Sequence, residues 1–260
     1  MKIVTVGDNC MDVYRPAGTA YPGGNPVNVA VYLTELGAET AYIGWVGTDR
    51  YGEIMVQAIQ GKGVDTSRVS VKEGTTAVTY VEMVDNDRQL GDYEEGVMAD
   101  FVLSPEELQF TESFQLVHSA IWGHCDPYFA YFKEKGLLTS FDFADKLDHE
   151  LLSTLTPYVD YPFLSYTQDD EEIRSLMKRV KDRGSRIVVA TLGSNGSLAY
   201  DGVRFYKHGI TETEVVDTLG AGDSFIAGFL YGTLKGLPVG DCLAQGAHKA
   251  AKTIGYFAAW

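Results

Sequence analysis

Paired cysteines are missing from this sequence. Only three occur, Cys10, Cys125 and Cys242, an odd number at wide spacing. That excludes a disulfide framework and gives neither zinc-type nor redox-type spacing; reduced thiols in the cytoplasm are expected. Positive charge is also scarce. The 21 Lys and Arg face 36 Asp and Glu, for a formal net charge of −15. Phosphate backbones and anionic lipids attract basic surfaces, so nucleic acid and membrane are excluded as partners, while a cationic small molecule is compatible. No apolar run reaches the length of a bilayer crossing. Met1 to Gly7 is too short an apolar run for a secretory leader and reads as a first strand. Repeats, linkers and low-complexity tracts are absent. The first strand is not followed by Gly-x-Gly-x-x-Gly, which argues against a dinucleotide-binding dehydrogenase.

What is present is a regular alternation of strand-like and helix-like segments, the pattern of a parallel sheet wrapped by helices. Strands are expected at Ile3 to Val6, Ala41 to Val46, Leu116 to Ile121, Leu138 to Phe143, Tyr158 to Leu164 and Arg186 to Thr191. Helices are expected at Pro26 to Leu36 (capped by Asn25), Tyr51 to Gln60, after the capping box Ser104-Pro105-Glu106-Glu107, and from Asp169 to Arg183. Two more fill the last third, one starting near Gly222 and one from Val239 to Gly255. One region breaks the rhythm. Thr76 to Val84 is rich in β-formers, Asp85-Asn86-Asp87 is turn chemistry, and Arg88 to Tyr93 returns. With the extended stretch Val13 to Tyr21, this hairpin predicts a small β lid built from segments near 11–22 and 76–93. The whole, residues 1–260, reads as one α/β domain.

The stretch richest in chemistry is Asp217-Thr218-Leu219-Gly220-Ala221-Gly222-Asp223-Ser224-Phe225. Small residues let backbone approach a ligand, and a helix start offers unpaired N–H groups and partial positive charge to a phosphate. Asp223 stands where it could take a proton from an attacking hydroxyl. Almost two hundred residues earlier lies Gly23-Gly24-Asn25-Pro26-Val27-Asn28, a tight reversal followed by two amides suited to a polyol. Asp8, Asn9 and Asp12 follow the first strand, at the edge where open α/β sheets bind ligands. Asp8 and Asn9 read equally well as ligand contacts or as loop residues. His118, inside an apolar strand, reads as a satisfied core residue; His124, just past that strand, reads as ligand contact or loop packing.

The Asp-Thr-x-Gly-Ala-Gly-Asp-x-Phe string resembles the C-terminal signature of the ribokinase family of sugar kinases, also called the PfkB family. The Gly23-Gly24-Asn25 segment is similar to its N-terminal signature. The resemblance covers essentially the whole chain. It implies a three-layer sandwich with a mostly parallel central sheet, helices on both faces and a β-sheet lid. It also implies ATP and Mg2+ as cofactors. Asp223 would be the base, with Gly220, Ala221 and Gly222 gripping the moving phosphoryl group. Asp12, Gly24, Asn25 and Asn28 would bind sugar hydroxyls. Thr191-Leu192-Gly193-Ser194-Asn195-Gly196 resembles the nucleotide segment, so Thr191, Gly193, Gly196 and Ser165 would meet ATP. Many relatives have Asn-x-x-Glu where this chain has Ser165-Tyr166-Thr167-Gln168, so magnesium water would meet the uncharged Gln168. Asp217 and the Leu219 carbonyl align with a monovalent-cation site, which implies K+. Relatives pair through their lids, and Val78, Tyr80 and Val81 read as exposed apolar positions, so a homodimer is expected.

A narrower resemblance covers Gly91 to Phe101, Val117 to His124, Phe141-Asp142-Phe143 and Ala259-Trp260. These look like bacterial members of the family that phosphorylate the C6 hydroxyl of fructoselysine. The acidic run Asp92, Glu94, Glu95 would suit the substrate's ammonium, with His124 nearby. The alternatives are a kinase for another ketose or fructosamine (fructose, glucoselysine), or a non-catalytic sugar-binding regulator on the same scaffold.

Overall fold

The computed structural model describes residues 1–14, 18–84 and 87–260. The sequence-predicted turn at Asp85-Asn86 lies outside them, as do residues 15–17 of the extended stretch.

The chain opens with β1 (Lys2–Val6), then β2 (Cys10–Tyr14), β3 (Thr19–Gly23), helix α1 (Asn25–Glu35) and β4 (Glu39–Gly47). Helix α2 (Arg50–Gly61), β5 (Asp65–Lys72), β6 (Val78–Val84) and β7 (Asp87–Glu94) follow. Next come α3 (Pro105–Thr111), β8 (Leu116–Ala120), α4 (Phe129–Glu134), β9 (Leu138–Asp142), α5 (Leu151–Thr154) and β10 (Tyr161–Ser165). The last part holds α6 (Glu171–Lys181), β11 (Val188–Thr191), β12 (Ser197–Tyr200), β13 (Phe205–His208), α7 (Ala221–Leu234) and α8 (Val239–Thr253).

Nine strands form the main sheet in the order β13-β12-β11-β10-β9-β8-β1-β4-β5. From β11 to β5 the pairs are parallel, and β12 and β13 are antiparallel. The order reverses at β1, between β8 and β4, so the carboxyl ends of these strands open a ligand crevice. A second sheet, β3-β2-β6-β7, is the small β lid. Its strands β2 and β3 leave the main sheet after β1 and return through α1, and β6 and β7 leave it after β5.

Both faces of the main sheet are covered. One carries a core of Phe129, Phe132, Phe141, Phe143 and Met177; the other is packed by Tyr32, Phe163, Phe229 and Leu230 under α1, α7 and α8. Each such side chain contributes about 1.5–3 kcal/mol of transfer free energy. Helices α7 and α8 touch backbone to backbone. A Cβ on Gly228 would meet the Gln245 carbonyl at 2.6 Å, which is the reason for glycine there.

The expected elements are present, with differences. The strand predicted from Tyr158 begins only at Tyr161, because Thr156-Pro157-Tyr158 closes a single tight turn first. Strand β5, polar and mostly half-exposed at the sheet edge, has too little apolar alternation to be legible. Ser104 and Glu107 form the anticipated capping box. Asn25 does not cap α1; Gly24 stands at the cap, and no side chain bonds the first turn. Val78 and Val81, expected to be exposed, are buried against the chain's own core, and Tyr80 is half-buried.

Candidate active site

Helix α7 begins at the open end of the sheet. Gly220 precedes it with φ 74°, a left-handed conformation that glycine adopts without strain. No larger residue fits, since a Cβ would meet the Tyr32 hydroxyl at 2.4 Å. Beyond it the backbone N–H groups of Gly222 and Asp223 have no partner among the described residues, and Gly222 is open to solvent. Ala221 differs from expectation. Its N–H turns back onto the Thr218 carbonyl at 3.2 Å, so it is not free for a ligand in this state.

Asp223 is half-buried and tied at both oxygens. Asn25 Nδ2 donates to one at 2.7 Å, and Asn28 Nδ2 donates to the other at 2.7 Å. This is why Asn25 does not cap its helix: its side chain is engaged across the crevice. Burial lifts the Asp223 carboxyl to about 6, against the lowering effect of the two amides. Each oxygen keeps a lone pair for a further donor. Asp223 can therefore accept a hydroxyl proton without losing its supports.

Both amides are held from behind. His118 Nε2 lies 2.8 Å from Asn25 Oδ1, and its Nδ1 lies 2.9 Å from Ser140 Oγ. Because the Asn25 NH2 donates to carboxylates, its oxygen must accept, so His118 carries its proton on Nε2. Burial pushes the His118 pKa down to about 3, and the ring stays neutral. The Trp260 indole Nε1 donates to Asn28 Oδ1 at 2.7 Å. His118 is thus the satisfied core residue the sequence suggested, but its partner is an active-site amide.

Two further acids border Asp223. Asp142, at the end of β9, accepts from Asn25 Nδ2 at 3.0 Å and from the Ala144 N–H at 2.9 Å. Its carboxyl is raised to about 7, chiefly by burial and further by Asp223 and Asp8. Asp8 is likewise raised to about 7, by burial and then by Asp223. Sequence reasoning quoted Asp142 only within the Phe141-Asp142-Phe143 resemblance and gave it no role. Its position past a parallel strand was the available signal, the same one that drew attention to Asp12.

The remaining expected residues fall into groups. Asp12 is buried in the lid root, and a Cβ on Gly23 would meet its carboxylate at 2.3 Å. Gly24 has φ 101°, and a Cβ there would meet Asn9 Cα at 2.6 Å. Thr191, Gly193, Gly196, Ala221 and Gly222 line one cleft of about 660 Å³, whose far wall is Ala247, Ala250 and Ile254 of α8 and the residue after it. Ser165 sits behind Thr191, its hydroxyl 3.4 Å from the Thr191 hydroxyl. The start of α7 separates this cleft from the acid-lined floor. Other expected residues lie elsewhere. Glu94 is exposed, while the adjacent Tyr93 faces inward, because side chains alternate along β7. His124, at φ 49°, stands 3.6 Å from Glu95 and links the loop after β8 to the lid. Gln168 is exposed and donates to Asp170 at 2.9 Å, and Asp170 itself caps α6. Asp217 accepts from the N–H groups of Leu219 at 2.9 Å and Ala258 at 2.7 Å.

A carboxylate poised beside free helix-terminal N–H groups, with a largely apolar cleft on one side and a polar floor on the other, suits phosphoryl transfer to a hydroxyl. The model of the pfkB family carbohydrate kinases matches residues 2–130 and 160–259. The chain belongs to the pfkB family of carbohydrate kinases. Among pfkB proteins it is 49% identical to fructoselysine 6-kinase of Escherichia coli (strain K12) over 258 residues, 99% of each chain. It is 32% identical to fructosamine kinase FrlD of Bacillus subtilis (strain 168), covering 100% of this chain and 93% of that one. The fold is ribokinase-like. It matches Arabidopsis thaliana ribokinase, solved with ribose and ATP, at a TM-score of 0.85 and 21% identity, over 99% of this chain and 94% of that one.

Proposed function

We propose that this pfkB kinase transfers the γ-phosphoryl group of ATP to the C6 hydroxyl of fructoselysine, giving fructoselysine 6-phosphate and ADP. The observation that carries the reading is the Asp223 carboxylate clamped between Asn25 and Asn28 at the mouth of α7. The 49% identity to a named fructoselysine 6-kinase supports the substrate. The match to a fructosamine kinase favours, as second reading, a wider range of fructosamines.

In this mechanism Asp223 accepts the C6 hydroxyl proton as the bond to phosphorus forms. A loose phosphoryl transition state leaves that proton in place until late, so a weak base suffices. The Gly220, Gly222 and Asp223 N–H groups meet the charge on the transferring oxygens, and Ala221 joins them once its bond to Thr218 opens. Asp12, Gly24, Asn25 and Asn28 orient the sugar, which supplies the positioning share of the rate. ATP occupies the cleft between Gly193–Gly196 and α8, with small and apolar side chains against the base and Ser165 behind Thr191.

Among the described residues no three acids, histidines or cysteines converge as metal ligands. Gln168, exposed and bonded to Asp170, would hold magnesium only through water. When bound, magnesium neutralises phosphate charge. Asp217 and the Leu219 carbonyl would hold K+.

The proposal extends to a cytoplasmic enzyme and to a homodimer through the β lid, whose outer strands β3 and β7 have free edges among the described residues. Light scattering on the full-length protein tests the dimer. A coupled ADP-release assay across fructoselysine, glucoselysine, fructose and ribose tests the substrate. Turnover of fructose in preference to every aminated sugar would overturn it.

A further inference from the structure

The floor beside Asp223 holds a charge problem that the phosphoryl-transfer machinery does not use. Asp8 follows β1 and is only 5% exposed. The Asn25 backbone N–H opposes the rise in its pKa, yet among the described residues its Oδ1 is buried with no hydrogen-bond partner. Leaving a carboxylate oxygen buried and unpaired is costly, more so than for a neutral group. The neighbouring charges make matters worse, since Asp223 and Asp142 are both acids. Every ion pair among the described residues lies elsewhere. Nor do the acids converge as metal ligands would. A donor brought by the ligand, or a proton, would satisfy that oxygen.

Position favours an organic cation delivered with the sugar. Gly24 presses on the Asp8–Asn9 turn, where a Cβ would meet the Asp8 carbonyl at 3.0 Å, and the next residue, Asn25, reaches Asp223. Asp8 thus borders the same floor as the base. The lid covers it with Tyr93, whose hydroxyl is raised by burial and then by the charge of Asp8. Asn9 beside it is pinned by Tyr42 at 2.9 Å and the Trp45 carbonyl at 2.8 Å, and its own Oδ1 is also buried without a partner. Two buried acceptors, one anionic, call for a donor that is positively charged and carries more than one N–H.

We propose that Asp8, assisted by the Asn9 carboxamide oxygen, binds the protonated secondary amine attached to C1 of the substrate. This rests on the fructosamine reading above. It moves amine recognition from the exposed Glu94 to the buried end of β1. A fructosamine with its C6 hydroxyl at Asp223 presents its C1 nitrogen at the opposite end of the sugar, where a charge-assisted bond to Asp8 would be shielded from water.

The test is steady-state kinetics of the full-length protein and its Asp8→Asn and Asp8→Ser variants on fructoselysine, on 1-deoxy-1-propylamino-fructose and on fructose. Both variants keep a polar side chain after β1 and lose the charge. The expected result is that the preference in kcat/KM for either amine over fructose collapses about 100-fold, mostly through KM. Equal losses on amines and fructose would mean that Asp8 only shapes the turn before α1, and would overturn the inference while leaving the substrate reading intact. An unchanged preference would overturn it as well. Unmodified protein that ignores both amines yet phosphorylates fructose would sink the substrate reading and the inference together.

Discussion

The Trp260 indole N–H donates to Asn28 Oδ1 at 2.7 Å, and the same asparagine donates to Asp223. A ring from the last residue therefore sets which way an active-site amide faces. Trp260→Phe keeps the ring packing and removes the donor. The asparagine can then turn, and the carboxylate loses one support. We expect kcat to fall about tenfold, the order of one lost buried hydrogen bond. Normal turnover in this variant would show that packing alone orients Asn28.

Asp223→Asn should fold normally and lose about two to four orders of magnitude in kcat, as removal of a general base does. Circular dichroism and the melting temperature check the fold, and ADP release checks the rate. Near-normal turnover would remove Asp223 from the mechanism.

Asp223, the proposed base, must be ionised to accept a proton, and burial raises its carboxyl to about 6. We expect kcat/KM to rise with pH through about 6 and to be lost below it. Asn28→Ala removes a donor that lowers this value, so its acid limb should move to higher pH. A limb that stays at its place in the variant would detach it from Asp223.

His118→Phe leaves the Asn25 oxygen without its donor, and His118→Gln offers one back. The phenylalanine variant should show a rate loss of about tenfold with a raised acid limb. The glutamine variant should recover part of both. A purely structural His118 would lower the melting temperature without moving the pH profile.

Asp8 provides a prediction about folding alone. Its pKa in the fold, about 7, lies above the ordinary carboxylate value. Protonation thus favours the folded chain: this contribution is fully present below about pH 4 and is lost as pH rises through 7. Asp8→Asn should be the more stable protein at pH 8, by about 1–3 kcal/mol, with the difference closing toward pH 4. Thermal melts at several pH values without ligand decide it. A variant that is less stable at pH 8 would show that its charge is compensated.

Much of this was legible from residues alone. The small residues before Asp223, the paired glycines before Asn25 and the strand–helix alternation are local patterns, and each forms its expected element. Partnerships were not legible. Asn28 and Asp223 are 195 positions apart, and Asn25 and His118 are 93. No periodicity reports a bond between segments so distant. The capping role assigned to Asn25 failed for this reason, since a distant donor, His118, takes the side-chain oxygen that a cap would offer to the local N–H groups. Glu94 misled because composition does not say which face of a strand looks inward. Asp8 could not be told from a loop acid until its burial was known.

The crowding of Asp8, Asp142 and Asp223 on one floor also bears on the lifetime of the protein. Folding works against these acids, and a cation lodged among them removes part of that opposition. A ligand held only by the native state shifts the balance between folded and unfolded chains in proportion to its concentration. A cell well supplied with aminated sugar would accordingly keep more of this protein intact against heat and proteolysis than a cell without it.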